Sequence, residues 1–309
     1  MTEVKDNPLV KRSHGGILHL IWKHRMVYTL LLPGLIWYIV FAYGPMGGLQ
    51  LAFKTYRASE GIWGSPWAGL KNYERVFGDP AFWSAVFRTL YINIGRLIFQ
   101  FPIPIILALL LNEMKFVKFK KVVQTVFTFP HFLSWIVVAS ILTNMLSLDG
   151  LVNNVLAAFG MERISFLGSP SIFQPMLYIT DAWKSAGWGA IVYLAAISGV
   201  DTDQYEAAEI DGASTFTKFT KITIPMLKPI ILFTTITSTI GTLQLFDEVV
   251  NITGGGPANA TITLSQYIYN LSFKYSPNFG YAAAVAFVIV IAIVILSIIQ
   301  MKVGGKDND

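Results

Sequence analysis

Six long stretches of this chain are almost wholly apolar: residues 26–43, 89–111, 122–146, 172–200, 229–250 and 280–301. A helix needs roughly 20 such residues to cross the hydrocarbon of a bilayer, so each run is a candidate span. Strands that cross a membrane alternate in polarity and close into a barrel, whereas these runs are continuous and punctuated by proline and glycine. The expected fold is therefore an all-α membrane protein with six transmembrane helices. Composition agrees: of 309 residues, 54% are hydrophobic and 13% charged, against about 25% charged in soluble domains. The first run follows Lys11, Arg12, Lys23 and Arg25, as a secretory signal would, but it is too long, and "FAYGPMGG" offers no small-residue cleavage site. It is expected to be retained. With no cysteine in the chain, disulfides and thiolate metal sites are excluded.

Lysine and arginine placement sets the expected orientation. With the N-terminus inside, the inner segments hold fourteen of them (Lys5, Lys11, Arg12, Lys23, Arg25, Lys115, Lys118, Lys120, Lys121, Lys218, Lys221, Lys228, Lys302, Lys306) and the outer segments seven (Lys54, Arg57, Lys71, Arg75, Arg88, Arg163, Lys274). Positive charge accumulates on the cytoplasmic side, so both termini are expected there. The net charge of +5 then reports topology, with little support for nucleic-acid binding. The expected organisation is a cytoplasmic tail over 1–25, a membrane domain over 26–302 with an inner loop at 201–228, and a second tail over 303–309. Residues 44–88 read as an ordered outer loop with a short helix around Asn72 to Phe77. "KFVKFKK" (115–121) reads as an inner turn, and 147–171 and 251–263 lie outside. No internal repeat is visible.

The inner loop carries the most informative segment, "YEAAEIDGAS" (205–214). Asp203 followed by Glu206 three residues later fits a capping box that starts a helix. Gly212, free of a Cβ clash at positive φ, fits its stop, and Ser214 or Thr215 caps a second helix running to Pro225. Singly, Asp203, Glu206 and Gly212 read as cap, cap partner and stop, with alanine there for helix propensity. Yet Ala207 and Ala208 are small, and Tyr205 and Ile210 are apolar, where a solvated helix would carry long polar side chains. Small residues admit a neighbouring backbone, so the element is suited to docking.

The whole stretch "EAAEIDGASTFTKFTKITIP", with Gly212 four residues after Ala208 and nine residues between Gly212 and Ile222, resembles the signature of the inner-membrane permease subunits of ABC importers. Ile224 stands where that family usually has leucine. "YGPMGGLQLAFKTYR", "GSPWAGLKNYERVF", "FPIPIILALLLNE", "FPHFLSWIVVASIL", "WKSAGWGAIVYLAAISGVD" and "ITGGGPANAT" extend the likeness over most of the chain. They point to the carbohydrate branch, for oligosaccharides or polysaccharide fragments. The resemblance implies that Tyr205, Glu206, Ala207, Ala208, Asp211 and Gly212 form a coupling helix seated in a cleft of an ATPase subunit. It also implies a second, homologous permease, an extracytoplasmic solute-binding protein that delivers the sugar, and a place in the bacterial inner membrane.

The chain itself offers little bond chemistry. No GxxxxGK[ST] phosphate loop occurs, so ATP and its Mg would sit on the partner ATPase and no cofactor on this chain. Gly254 to Gly256 lack the following Lys-Ser/Thr and read as an outer turn toward the binding protein or the outer mouth. His14, His19, His24 and His131 show no metal-ligand spacing, and no supported serine nucleophile is evident. What stands out is polarity within the spans, where ionisable groups line a cavity or pair with one another. Asp181 and Lys184, one turn apart, can neutralise each other. Trp183 and Trp188 flank them, and aromatic faces beside hydrogen-bonding groups suit a sugar. Gln244, Phe246, Asp247 and Glu248 close the fifth span, with Gln244 and Asp247 one turn apart and Asp247 and Glu248 also placed for the hydrated outer interface. Since the family is expected to hold sugar on the helices flanking the docking loop, Lys184, Trp188, Gln244 and Asp247 are the expected substrate contacts. Asn93, Arg96 and Gln100 face either the same pathway or the partner permease, and Pro102 with Pro104 can bend their helix.

Two other function classes are open to a chain of this kind. An ion-coupled secondary transporter would relay protons or sodium through Asp181, Lys184 and Asp247, but it predicts inverted repeats that are not evident. A membrane glycosyl- or prenyl-transferase needs an acidic metal-diphosphate motif, and the only acidic inner run is the docking helix. Within the ABC reading, a polyol, a glycerol phosphate or a small peptide is the alternative cargo.

Overall fold

The computed structural model describes residue 19 and residues 22–305. Lys5, Lys11, Arg12 and Lys306 of the topology count, and His14, lie outside the described residues. Among those described the structure is helical, apart from an isolated bridge between Lys54 and Trp67. Five helices are long and apolar enough to cross a membrane: Arg25–Phe53, Pro80–Asn112, Trp135–Ala158, Thr215–Gly241 and Phe279–Val303.

The chain divides into two units between Gln50 and Leu51. In the first, helix α1 (Arg25–Trp37) continues as widened turns over Tyr38–Tyr43 and then tightened ones, whose segment Gly44–Phe53 ends three residues past the division. The expected outer loop therefore begins at Lys54 rather than at residue 44. Pro45 falls where the widened turns give way to the tightened ones, a change of helical pitch at a residue with no N–H to donate to the preceding turn. No side chain of α1 is buried, and Leu30 is 83% exposed. Apolar surface this continuous is made for lipid or another chain.

In the second unit, the loop after Phe53 is pinned by buried polar groups. The Lys54 ammonium donates to the carbonyls of Ile62 and Trp63, both at 3.0 Å, and sits 5.0 Å from the Trp67 ring centroid. The Asn72 amide donates to the carbonyls of Ala52 and Lys54. The short helix expected near Asn72 is α2 (Lys71–Gly78). Asp79 then caps α3 (Pro80–Gln100), accepting from the Ala81 N–H at 2.8 Å with Pro80 in the first helical position. Helix α4 (Pro102–Asn112) continues beyond Phe101. The division falls at the proline pair expected to bend this helix, since neither Pro102 nor Pro104 can donate to the preceding turn.

The apolar run 122–146 is not one helix. It divides into α5 (Val117–Thr128), a tight turn at Phe129–Phe132, and α6 (Trp135–Leu146), started by Ser134, whose hydroxyl accepts from the Val137 N–H. Pro130 lacks a donor, and Leu133 and Ser134 are extended, so hydropathy ran on where the backbone did not. Nor is "KFVKFKK" a turn: Lys118, Lys120 and Lys121 lie within α5, and the turn occupies 113–116. The segment after α6 holds α7 (Leu151–Ala158).

Helix α8 (Pro170–Ile197) holds more buried residues than any other helix described. Ala182, Ala186 and Ala190 recur every four residues and are all buried. A Cβ built on Gly187 would fall on the backbone of Phe127 and Thr128, and one on Gly189 would come within 2.9 Å of the Pro104 ring. Small residues let helices touch backbone to backbone, which is how membrane helices gain packing without a hydrophobic driving force. Around this face Ile105, Ala108, Leu111, Tyr193 and Leu227 form a core cluster.

Beyond α8 come α9 (Thr202–Ile210), α10 (Thr215–Lys218), a widened turn at Phe219–Thr223 and α11 (Ile224–Leu243). Here two expectations are corrected. The cap of α9 is Asp201, whose carboxylate accepts from the Asp203 N–H at 3.0 Å, so Asp203 already lies in the first turn. And α10 does not stop at Pro225, because the widened turn before it accommodates the missing N–H and the helical path continues into α11. The run 229–250 is also interrupted: α11 ends at Leu243, and α12 (Asp247–Thr253) begins after a break and closes on Gly254 at φ +68°. Gly255 and Gly256 likewise hold positive φ, so the triple glycine forms the turn expected of it. Helix α13 (Leu264–Tyr269) and the long α14 (Phe279–Gly305) complete the chain. The Asp79 carboxylate accepts from the phenols of Tyr267 at 2.8 Å and Tyr281 at 2.7 Å, tying the start of α3 to α13 and α14.

Candidate functional sites

Two places combine exposure or cavity with chemistry. The first is the knuckle made by α9, Gly212 and α10. Gly212 takes φ +75°, and the Gly212 and Ala213 N–H groups donate back to the carbonyls of Glu209 and Ala208. This is the paired closure of a helix ending on a left-handed residue. A Cβ at Gly212 would meet nothing within 4 Å, so only the backbone angle requires glycine there. Ser214 caps α10 by accepting from the Thr217 N–H.

The knuckle is held from one side only. The Tyr205 hydroxyl pairs with Thr223 Oγ1 at 2.9 Å, and the Lys218 ammonium donates to Glu209 at 3.2 Å. Tyr205 is therefore the anchor, half-buried against the chain itself. Glu206, Ala207, Asp211 and Gly212 are exposed and Ala208 is half-buried, while Ile210 and Phe216 are 87% and 73% exposed. Large apolar tips on an otherwise polar protrusion are the usual mark of a docking surface. A mainly apolar cleft of about 630 Å³ separates the knuckle from α4, with Ile106, Leu110, Tyr205 and Phe219 in its walls.

The second place is a polar seam between α3, α8 and α11. At its centre Arg96, buried toward the C-terminal end of α3, donates through Nη2 to Asp181 Oδ1 on α8, through Nε to Asp181 Oδ2 at 3.2 Å, and through Nη2 to Glu248 on α12 at 3.3 Å. The pair expected between Asp181 and Lys184 does not form. Asp181 turns to Arg96, whose planar fork takes both carboxylate oxygens at once, as an ammonium cannot. Glu248, allowed for as a hydrated interfacial residue, is the half-buried third member. Sequence spacing could not find this triad, because its members stand 85 and 152 residues apart. A charge within a span was the only signal.

Two cavities open along the seam. One, of about 360 Å³, is lined by Arg96, Gln100, Trp135, Gln244, Asp247 and Glu248 among others. The other, of about 270 Å³, is lined by Gln100, His131, Trp188, Tyr193, Thr234 and Ser238 among others. Of the expected contacts, Gln244 and Asp247 thus share the first cavity, although the helix breaks between them and they are not one turn apart on it. Trp188 lines the second, its ring stacked on His131 with centroids 4.6 Å apart and planes 5° from parallel. Lys184 lines neither. Its ammonium donates to the His131 carbonyl at 2.8 Å and lies 5.4 Å from the Trp135 ring centroid, behind the side chains that form the walls. Trp183 is exposed and also outside both. Asn93 is buried and donates to the Thr89 carbonyl within its own helix. His131, Trp135 and Ser238 were not anticipated, since nothing in local spacing marks the turn at Phe129–Phe132 as facing α8.

Comparison with known proteins identifies the family. Residues 100–303 match the family model of the binding-protein-dependent transport system inner membrane component. The polygalacturonan/rhamnogalacturonan transport system permease YteP of Bacillus subtilis (strain 168) is 38% identical over 277 residues, spanning 89% of this chain and 86% of that protein. The lactose transport system permease LacF of Rhizobium radiobacter is 44% identical over 237 residues, spanning 75% and 79%. A chain from the crystal structure of a bacterial ABC transporter involved in the import of the acidic polysaccharide alginate superposes with a TM-score of 0.83 at 32% identity, covering 94% of this chain and 98% of its own. The knuckle and most of the seam fall within the matched region, and this chain belongs to the family of binding-protein-dependent transport system inner membrane components, the membrane permeases of ABC importers.

Proposed function

We propose that this chain is the permease through which an oligosaccharide or polysaccharide fragment crosses the bacterial inner membrane, driven by ATP hydrolysis on a separate subunit. The observation that carries this reading is the knuckle: a glycine-closed turn between two helices with exposed apolar tips, set in a membrane protein of the importer family. Such a shape transmits force and performs no bond chemistry. The fold is then a six-span domain over 26–302, with α8 as the fourth span, a cytoplasmic loop at 201–228 and both termini in the cytoplasm. Tyr205 roots the knuckle, while Glu206, Ala207, Ala208, Asp211 and Gly212 present it to an ATPase subunit that holds ATP and Mg; this chain binds no cofactor. A second permease completes the pathway, and an extracytoplasmic binding protein delivers the cargo. The carbohydrate class is supported by the named cargoes of the relatives and by Trp188, Gln244 and Asp247 on cavity walls, while Lys184 holds the His131 carbonyl. An ion-coupled relay is disfavoured because Asp181, its natural carrier, is already closed on Arg96.

Reconstitution tests the proposal. Liposomes holding this chain with its partner permease and ATPase subunits should accumulate sugar only when ATP and loaded binding protein are supplied. Accumulation by the purified chain alone, without nucleotide, overturns it.

A further inference from the structure

The two cavities of the seam share walls. Gln100 and Ser238 line both, so the cavities of about 360 and 270 Å³ adjoin at Gln100, and together they have the size and mixed lining that small ligands occupy. At that junction the Gln100 amide carries an acceptor, Oε1, that is buried and has no hydrogen-bond partner. A buried acceptor left unpaired is costly unless a ligand or water supplies a donor.

Charge decides what kind of ligand this is. Among the described residues lining either cavity, Arg96 is the only lysine or arginine, and Asp181 and Glu248 already hold it. The third carboxylate, Asp247, is exposed on the wall of the larger cavity. Lys184 stands behind the walls, committed to the His131 carbonyl and the Trp135 ring. An entering carboxylate would find no unpaired cation and would face like charge, which disfavours it. Hydroxyl donors meet the opposite situation, with acceptors on Gln100, Gln244 and Asp247. The rings of Trp188 and Trp135, one in each cavity, offer flat apolar surface to the CH faces of a pyranose.

We infer that this site takes an uncharged pyranose oligosaccharide, that Gln100 accepts a hydrogen bond from one of its hydroxyls, and that Asp247 discriminates against uronic acid units. The inference rests on the carbohydrate reading above and narrows it.

Equilibrium dialysis against the purified, nucleotide-free permease complex tests it with two matched pairs, galactotriose with trigalacturonate and mannotriose with trimannuronate. In at least one pair the neutral trisaccharide is expected to bind about tenfold or more tightly than its uronic counterpart. Gln100→Leu should weaken that binding about tenfold, the scale of one lost hydrogen bond to a buried group. Asp247→Lys should close or reverse the gap, a gain for the uronic sugar that misfolding cannot mimic. Equal or tighter binding of the uronic member in both pairs overturns the inference and leaves the carbohydrate reading standing. So does an unchanged ratio in Asp247→Lys or unchanged affinity in Gln100→Leu. Binding of none of the four sugars overturns both.

Discussion

Helix α8 and the α9–α10 knuckle follow one another in the chain and obey opposite rules. In α8, Ala182, Ala186, Ala190, Gly187 and Asp181 are buried, and each of the two special residues among them, Gly187 and Asp181, is explained by a contact inside the molecule. In the knuckle Gly212 touches nothing, Ile210 and Phe216 face outward, and no side chain of α9 is buried. Thus glycine serves close approach in one place and backbone handedness in the other. The first element is specified by its neighbours within the chain, and the second is suited to a neighbour outside it.

That contrast can be broken most severely at Arg96. Arg96→Leu leaves Asp181 buried without a partner, which costs about 3–5 kcal/mol for such pairs; the purified complex should lose most of its thermal stability. Adding Asp181→Leu should restore part of the loss, because the uncompensated charge at that position is then gone. Next in size, Gly187→Ala should cost about 1–3 kcal/mol through overpacking against the α5 backbone, read as a lower melting temperature. The same substitution at Gly212 meets no steric obstacle. Gly212→Ala should therefore cost only the left-handed backbone, about 1–2 kcal/mol at one residue, and leave the protein inserted. Its effect should appear in uptake, which falls at least severalfold while ATP hydrolysis continues. Unchanged uptake would count against the coupling role.

The smallest effect concerns pH at the junction of α3, α13 and α14. Burial alone would raise the Asp79 pKa, but hydrogen bonds from Tyr281, Tyr267 and the Ala81 N–H, with the charge of Arg75 nearby, hold it below the ordinary 3.8. Its stabilisation is therefore complete above that value and lost as the pH falls below it. Tyr267 is pushed up to about 12, first by burial and then by Asp79, against the partly opposing bond from Tyr281. Its share is complete below 10 and lost as the pH rises from there toward 12. Asp79→Asn should flatten the acid side of a melting-temperature profile and reduce the alkaline loss.

Much of this was legible in the sequence because it is local. Apolar runs predicted helices, Gly212 and Ser214 predicted the knuckle's closure, and Pro102 with Pro104 predicted the division of α3 from α4. The errors share one cause: hydropathy reports solvent, not backbone. It merged α5 with α6 across Pro130 and carried α11 through the break at 244–246. Asp203 was read as the cap because Glu206 follows it by three residues, whereas the carboxylate that caps α9 is that of Asp201. The seam was half visible. Trp188, Gln244 and Asp247 could be named, but the partner of Asp181 could not, because helical spacing describes neighbours on one helix and Arg96 stands on another.

The backbone contact at Gly187 has a mechanical consequence. With no layer of side chains between them to shear, the end of α5 and the middle of α8 behave as one riveted piece. Any rocking that opens the pathway must carry both together, and the give has to come from joints that can bend, of which the unwound step between Leu243 and Asp247 is one.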